Sequence, residues 1–488
     1  MSYARLLLLS LGALLLAACL GRSVDPKAAG SALWLASDSG ALTSSQQAKL
    51  SGLGLREVFL DAGDLEWSGG PAIRRRALPD VPRRTASTLV VHGSWLPGGR
   101  DAADIGKLLH TELLALRIEA EQAGVLVTGF HFEVDPGERG ESFAKSLATV
   151  RRKLAGSAFL SVGLDRRRLQ APEARAIAAS ADFVVCFLYG QHPGEAEDPG
   201  AWDLESVEQN FRRLEALDRP YLTGAITLGT AYHKDSGGSI RAWTTMLDLG
   251  TVVRNPAFEL KPGFSLQGID RLAWEFVAQE RTTLGDWTIE RGDSVRLVRT
   301  ATPLIEEFRR RVGAWESDRH LGEIYYRLPR PGERLSLSGE NLVVVLSPES
   351  SAMELNLALG RTVASREVWI VTARLENRSA ESSDLALFDN NYVQLDIEGA
   401  IAIDAEPGGF RRVELLRDGE RGSMQALRAA NQVRLFLPFV EGGQVAESGP
   451  ITLRLREPNP RLRISASFLL AEGRLFATDP IDWSFTSP

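Results

Sequence analysis

At 488 residues the chain is too long for one compact core and calls for two domains or three. Apolar and charged residues make up 44% and 24% of it, ordinary for a globular protein, and the net charge of −7 comes without a long basic run. That excludes nucleic acid as a partner, because binding it needs a clustered cationic surface.

In chain order, Arg5 precedes an apolar stretch from Leu6 to Leu16. The stretch is shorter than the roughly 20 residues a bilayer span takes, so it reads as a signal-peptide core. Leu16-Ala17-Ala18-Cys19 then resembles a bacterial lipobox. The resemblance implies removal of residues 1–18, a diacylglycerol thioether on Cys19 and an acylated (palmitate-type) amine there, which together give stable membrane anchoring. A plain secretory leader with an incidental cysteine is the alternative. Leu20, where Gram-negative inner-membrane lipoproteins carry aspartate, implies the outer membrane, and residues 19–30 read as a flexible tether. The only other cysteine is Cys186, so the mature chain has no intramolecular disulfide. Its apolar surroundings, Phe183 to Leu188, suit a buried structural thiol, with His192 beyond the strand end as the nearest residue able to activate it.

From Ala32 onward, apolar strand-like runs alternate with segments of helical period. The runs are Ala32–Leu35, Glu57–Asp61, Thr88–His92, Val125–Asp135, Ala158–Val162, Phe183–Tyr189, Tyr221–Thr227 and Ile324–Leu328. Such continuous apolar strands suit a parallel sheet covered by helices. Between them, Ile105, Leu108, Leu109, Leu113 and Leu116 fall on one helical face, as do Phe143, Leu147, Val150 and Leu154, and Val207, Phe211, Leu214 and Leu217. Eightfold alternation predicts a (β/α)8 TIM-like barrel over 31–329. An open doubly wound sheet is the alternative, but Ala36 to Gly40 is not the G-x-G-x-x-G turn it would want. Before the eighth strand an insertion is expected: Trp287–Glu290 and Val295–Val298 alternate around Arg291-Gly292-Asp293, a hairpin pattern, followed by a helix carrying Leu304, Ile305, Phe308 and Val312. After Pro329-Arg330-Pro331-Gly332, short alternating runs at 342–346, 368–375, 392–397, 433–437, 451–455 and 462–468 predict an all-β sandwich over 333–488. Turn-like clusters at 389–391 and 441–443 separate some of them.

A barrel of this kind places its site where the strands end at their C-terminal face. That rule selects Asp38, Asp61, Asp64, His92, Trp95, Glu133, Asp135, Asp165, Tyr189, Gln191, His192, Tyr232 and His233. Carboxylates, histidines and aromatics together suit a sugar ligand, with carboxylates for acid/base work and rings for stacking. On the fourth strand His131, Glu133 and Asp135 share one face by the two-residue period and are expected to point together into the barrel mouth. Glu133 and Asp135 are the candidate catalytic pair; Asp61, His92, Trp95, His131, Tyr189, His192 and His233 are candidates for contacting substrate. Plainer readings stay open. Asp135 precedes Pro136 and a helix it could cap, Asp61 and Asp64 suit a turn, His131 suits a satisfied core position, and Glu133 could pair with Arg327. The six histidines stand singly, without H-E-x-x-H or C-x-x-C spacing, so neither a metal nor another cofactor is expected.

The run Gly129-Phe130-His131-Phe132-Glu133-Val134-Asp135 resembles the chitinase-like glycoside hydrolase signature Gly-apolar-Asp-apolar-Asp-aromatic-Glu on the same barrel strand. The resemblance puts His131 and Glu133 where the two aspartates stand and Asp135 where the acid glutamate stands. Leu188-Tyr189 is similar to that family's Tyr-Asp pair, with Gly190 in place of the aspartate. Glu133-Val134-Asp135 and Gly322 to Pro329 also resemble a bacterial lipoprotein family whose barrel domain has no assigned activity. Two functions are thus expected to compete: an envelope lipoprotein that binds or hydrolyses a polysaccharide, and a non-catalytic scaffold with a degenerate barrel site. Oligomeric state is not legible at this level.

Overall fold

The computed structural model describes residues 31–483 except 40–41, 43, 53, 193–202, 248, 262–272, 301, 316, 331, 334, 338–341, 343–345, 347–352, 380–382, 384–389, 422–429 and 470–474. The leader, Cys19, the tether and Asp389 lie outside the described residues. The chain divides into two compact units between Ser347 and Pro348.

The first unit is built on a parallel barrel. Its strands are β1 (Ser31–Leu35), β2 (Leu55–Trp67), β4 (Ala86–Ser94), β5 (Leu126–Asp135), β6 (Phe159–Gly163), β7 (Phe183–Tyr189), β8 (Tyr221–Ile226) and β16 (His320–Tyr326). They follow the order β1-β16-β8-β7-β6-β5-β4-β2, and a parallel β1–β2 pairing closes the ring. β3 (Pro71–Arg75) folds back antiparallel on the long end of β2. Every residue of β6 and β7 is buried, as strands must be when one side packs on helices and the other fills the barrel. The lumen is filled by Trp34, Phe59, Val90, Phe159, Val185, Phe187, Leu222 and Ile324 among others.

Helices α1 (Ser44–Gly52), α2 (Ala102–Gln122), α3 (Gly140–Leu154), α4 (Ala174–Ala179), α5 (Leu204–Glu215), α6 (Leu249–Arg254) and α7 (Thr302–Gly313) belong to the same unit. Asp101 starts α2 by accepting from the backbone N–H groups of Ala103 and Asp104. Ile105, Leu109, Leu113, Leu116 and Ala120 form its buried stripe, whereas Leu108, expected in that stripe, is 42% exposed. The four-residue step from 105 to 109 leaves Leu108 on the shoulder of the helix.

The insertion between β8 and β16 carries β9 (Thr230–Lys234), β10 (Ile240–Thr244), β11 (Phe258–Leu260), β12 (Ala273–Ala278), β13 (Thr282–Leu284), β14 (Trp287–Ile289) and β15 (Ser294–Val298). The two runs around Arg291-Gly292-Asp293 do not pair with each other as expected. β14 pairs with β13, and β15 enters a five-stranded antiparallel sheet between β9 and β12. Two observations account for the difference. Gly285, at a positive φ of 58°, supplies the tight β13–β14 turn, and the five-stranded sheet buries Val295, Leu297 and Val298.

The second unit is antiparallel throughout its described strands. One sheet has five strands, centred on Val368–Asn377, and the other has seven, centred on Tyr392–Glu398 and Arg461–Leu469. Val371, Ala373, Leu395, Val433, Leu453 and Ile464 share one core between them, which is a β-sandwich. The segment after Arg330 belongs to the barrel unit rather than to the sandwich. Leu337 donates its N–H to the Thr227 carbonyl at 2.8 Å, and Leu342 and Leu346, expected on a strand, are helical and buried.

Candidate functional site

Strands β2, β4 and β5 bring four of the expected residues together: Asp61, His92, His131 and Glu133. Asp61, on β2, is buried, and its Oδ1 accepts from the Trp34 indole at 2.8 Å and from His92 Nε2 at 2.7 Å. Arg76 approaches the other carboxylate oxygen at 3.5 Å. Burial pulls the His92 pKa down, but the hydrogen bond and charge of Asp61, with the charge of Glu133, outweigh it and hold the imidazole above its ordinary value. His92 therefore keeps its proton to higher pH than a free imidazole does.

On the adjacent strand, in register with His92, stands Glu133. Its Oε2 lies 3.2 Å from His131 Nε2, and His131 Nδ1 lies 2.9 Å from Ser161 Oγ. A carboxylate only accepts, so His131 carries its proton on Nε2 and takes a hydrogen bond from the serine on Nδ1. His131 is fully buried, wedged edge-on between Trp34 and Phe59, and burial holds its pKa below the ordinary value despite Glu133. Burial also works against the Glu133 anion, yet the His131 hydrogen bond and the charges of His131, His192 and His92 prevail and bring its pKa down to about 2. At neutral pH the arrangement is an anionic Glu133 oriented by a neutral His131.

Gly163, at the end of β6, makes room for that carboxylate. A Cβ added there would lie 2.0 Å from Glu133 Oε2, so the carboxylate would have to move. Glu133 lines a small hollow of about 40 Å³ together with Asp165, Arg166, Arg167, Phe187 and His192. His192 also packs edge-on against Tyr326, with ring centroids 4.9 Å apart.

The other expected residues fall elsewhere. Asp135 does not join Glu133: its carboxylate is exposed, accepts from the Gly137 N–H at 3.0 Å and pairs with Arg168 at 3.1 Å. It closes the turn before α3 rather than capping the helix. Trp95 is buried against Trp67 and Phe143, on the helix side of the strand. Tyr189 is turned outward by a β-bulge between Phe187 and itself and stacks on Phe308 of α7, with centroids 5.8 Å apart. His233 lies in the insertion sheet, 2.9 Å from Asp293. Arg327 pairs with Glu333 at 2.9 Å instead of with Glu133. Cys186 is buried, and burial pushes its thiol pKa up. The sequence alone did not single out Trp34, Ser161 or Gly163; Ser161 lies on the predicted run Ala158–Val162 and Gly163 one residue past it, in step with the two-residue period.

The sequence matches no protein-family model and no curated protein. Among solved structures, a chitinase from Chromobacterium violaceum is similar at 15% identity and a TM-score of 0.40, covering 65% of this chain and 98% of that one. The spore cortex-lytic enzyme SleL of Bacillus megaterium is 13% identical, with a TM-score of 0.40, over 64% of this chain and 72% of its own. A chitinase from Bacillus thuringiensis is 11% identical, with a TM-score of 0.39, over 93% of this chain and 84% of its own.

Proposed function

We propose that this chain is an envelope lipoprotein, anchored through Cys19 in the outer membrane, whose barrel binds a polysaccharide and hydrolyses it at Glu133. The observation that carries the reading is an ionised glutamate, oriented by a buried histidine, in a hollow at the C-terminal end of a closed parallel barrel. Glu133 faces the charge that develops at the sugar carbon, or takes the proton of the attacking water. His92, whose hold on its proton Asp61 strengthens, donates the proton to the leaving oxygen. His192 and Phe187 border the ligand. Asp135 has no part in this chemistry, because an arginine and a backbone N–H occupy it at the rim.

A second reading, a binding protein without turnover, is favoured by a different observation. Rim carboxylates are paired with arginines: Asp64 with Arg74 and Arg76, Asp38 with Arg330, and Asp135 with Arg168. The test is release of reducing ends from chitin oligosaccharides and from peptidoglycan by the wild type and by Glu133→Gln. Turnover lost in the variant while ligand binding persists supports the hydrolase. Binding without turnover in the wild type supports the second reading, and turnover unaffected by Glu133→Gln ends the first.

A further inference from the structure

The outer face of the seven-stranded sheet in the second unit carries a polar groove. Along Tyr392–Glu398 the residues Val393, Leu395 and Ile397 enter the core, so Tyr392, Gln394, Asp396 and Glu398 face out. On Arg461–Leu469 the same alternation buries Leu462 and Ile464 and turns Arg461 and Arg463 out. Asp396 sits in register between Gln432 on one side and Arg463 on the other, and Glu398 sits opposite Arg461. These side chains, with Asn431, line one open groove.

Its chemistry is specific. Asp396 Oδ1 accepts from Gln432 Nε2 at 2.8 Å and from Gln394 Nε2 at 2.9 Å, and Gln394 Oε1 accepts from Arg434 at 2.7 Å. The chain of amides holds the carboxylate still and fixes which end of each amide points where. Among the described residues Asp396 Oδ2 accepts no hydrogen bond, and the buried Gln432 Oε1 meets no donor. Among the same residues Arg461 and Arg463 are exposed and lie in no ion pair within 4 Å. The groove therefore offers fixed acceptors and planar multi-donor groups side by side. Two guanidinium charges balance two carboxylate charges, so neither an anion nor a cation is favoured.

A ligand that donates and accepts at adjacent positions without net charge is a polyol. We propose that this groove is a second glycan-binding site, which takes a neutral, hydroxyl-rich polymer chain between Asp396, Gln432 and Arg463. For the identity of the polymer the inference rests on the barrel reading above. A bound hydroxyl would donate to Asp396 Oδ2 while its neighbour accepts from Arg463, with Gln432 holding the carboxylate in place.

The test measures co-sedimentation of the full chain with insoluble chitin and with purified peptidoglycan sacculi. Wild type should be retained on at least one polymer, and the retention should persist in molar salt because no net charge is involved. Asp396→Asn combined with Arg463→Ala should weaken retention at least about a hundredfold, roughly the loss of two charge-assisted hydrogen bonds. Hydrolysis of soluble oligosaccharides should not change. Gln432→Ala, a milder change, should weaken retention in the same direction, and matching thermal melts exclude misfolding as the cause. Retention unchanged in these variants, retention abolished by salt, or no retention on either polymer would overturn the proposal. Inactivity of the wild type on soluble oligosaccharides would instead sink the barrel reading and leave the groove standing.

Discussion

At the closed end of the barrel Glu57 places its carboxyl among Thr88 and Thr128, whose hydroxyls both reach its Oε1. Burial is the larger influence and lifts its pKa to about 7 against the two hydrogen bonds. An acid whose folded pKa lies above its unfolded value favours the neutral form on folding. Its contribution is therefore complete below about 4.5 and is lost as pH rises through 7. Glu57→Gln removes that dependence, and the variant should gain on the order of 3 kcal/mol relative to wild type between pH 4.5 and pH 8. Urea unfolding at the two pH values measures it; an equal difference at both would contradict the account. His92 is shifted in the same direction for a different reason, the attraction of Asp61 and Glu133 for its charged form. Its raised pKa means the charged form persists to higher pH, so the alkaline limb of any rate profile should fall through a value above the ordinary imidazole range. Asp61→Asn removes the main force that raises it and leaves the burial that lowers it. Histidine NMR titration should then find the His92 pKa depressed, and the alkaline limb should move to lower pH with it.

Strand ends and their neighbours control where these groups point. Gly163→Ala puts a methyl group where the Glu133 carboxylate lies and so displaces that group without removing it. Turnover should fall at least tenfold while the chain stays folded, and a crystal structure of the variant should show Glu133 rotated off His131. Full activity in Gly163→Ala would mean that the present Glu133 rotamer is not the working one. Beyond the end of β16, Arg327 and Glu333 form a buried pair that also gathers Arg330 and Thr245. Glu333→Ala leaves the Arg327 guanidinium buried without its partner and should cost about 3–5 kcal/mol in denaturant unfolding of the barrel unit. The two substitutions separate positioning from stability: the first should alter rate at constant stability, the second stability foremost.

Taken as a molecule, the chain joins a barrel with a polar mouth to a β-sandwich with a polar outer face, and the anchor expected at Cys19 would hold both at a membrane surface. Cys19→Ala should move the protein from the detergent phase to the aqueous phase in a cloud-point partition. Wild type found in the aqueous phase would remove the anchor from the proposal. Among the described residues no helix is long and apolar enough to cross a bilayer.

Alternation of apolar runs with helical stripes was enough to anticipate the eight barrel strands, the insertion before the last of them and the sandwich that follows. Those features depend on a local period of two or 3.6 residues, which the chain displays along its own length. The site depended on something else. Trp34, Asp61 and His92 lie 27 and 31 residues apart and meet only because parallel strands align in one register. One bulge after Phe187 sent Tyr189 to the helix layer against its period, and an arginine from the next connection drew Asp135 to the rim. Glu133 was legible as a polar residue facing inward beside His131 on the same strand. Whether Arg327 also met it was a matter of distance across a closed ring, and distance across a ring is set by tertiary packing rather than by the order of residues.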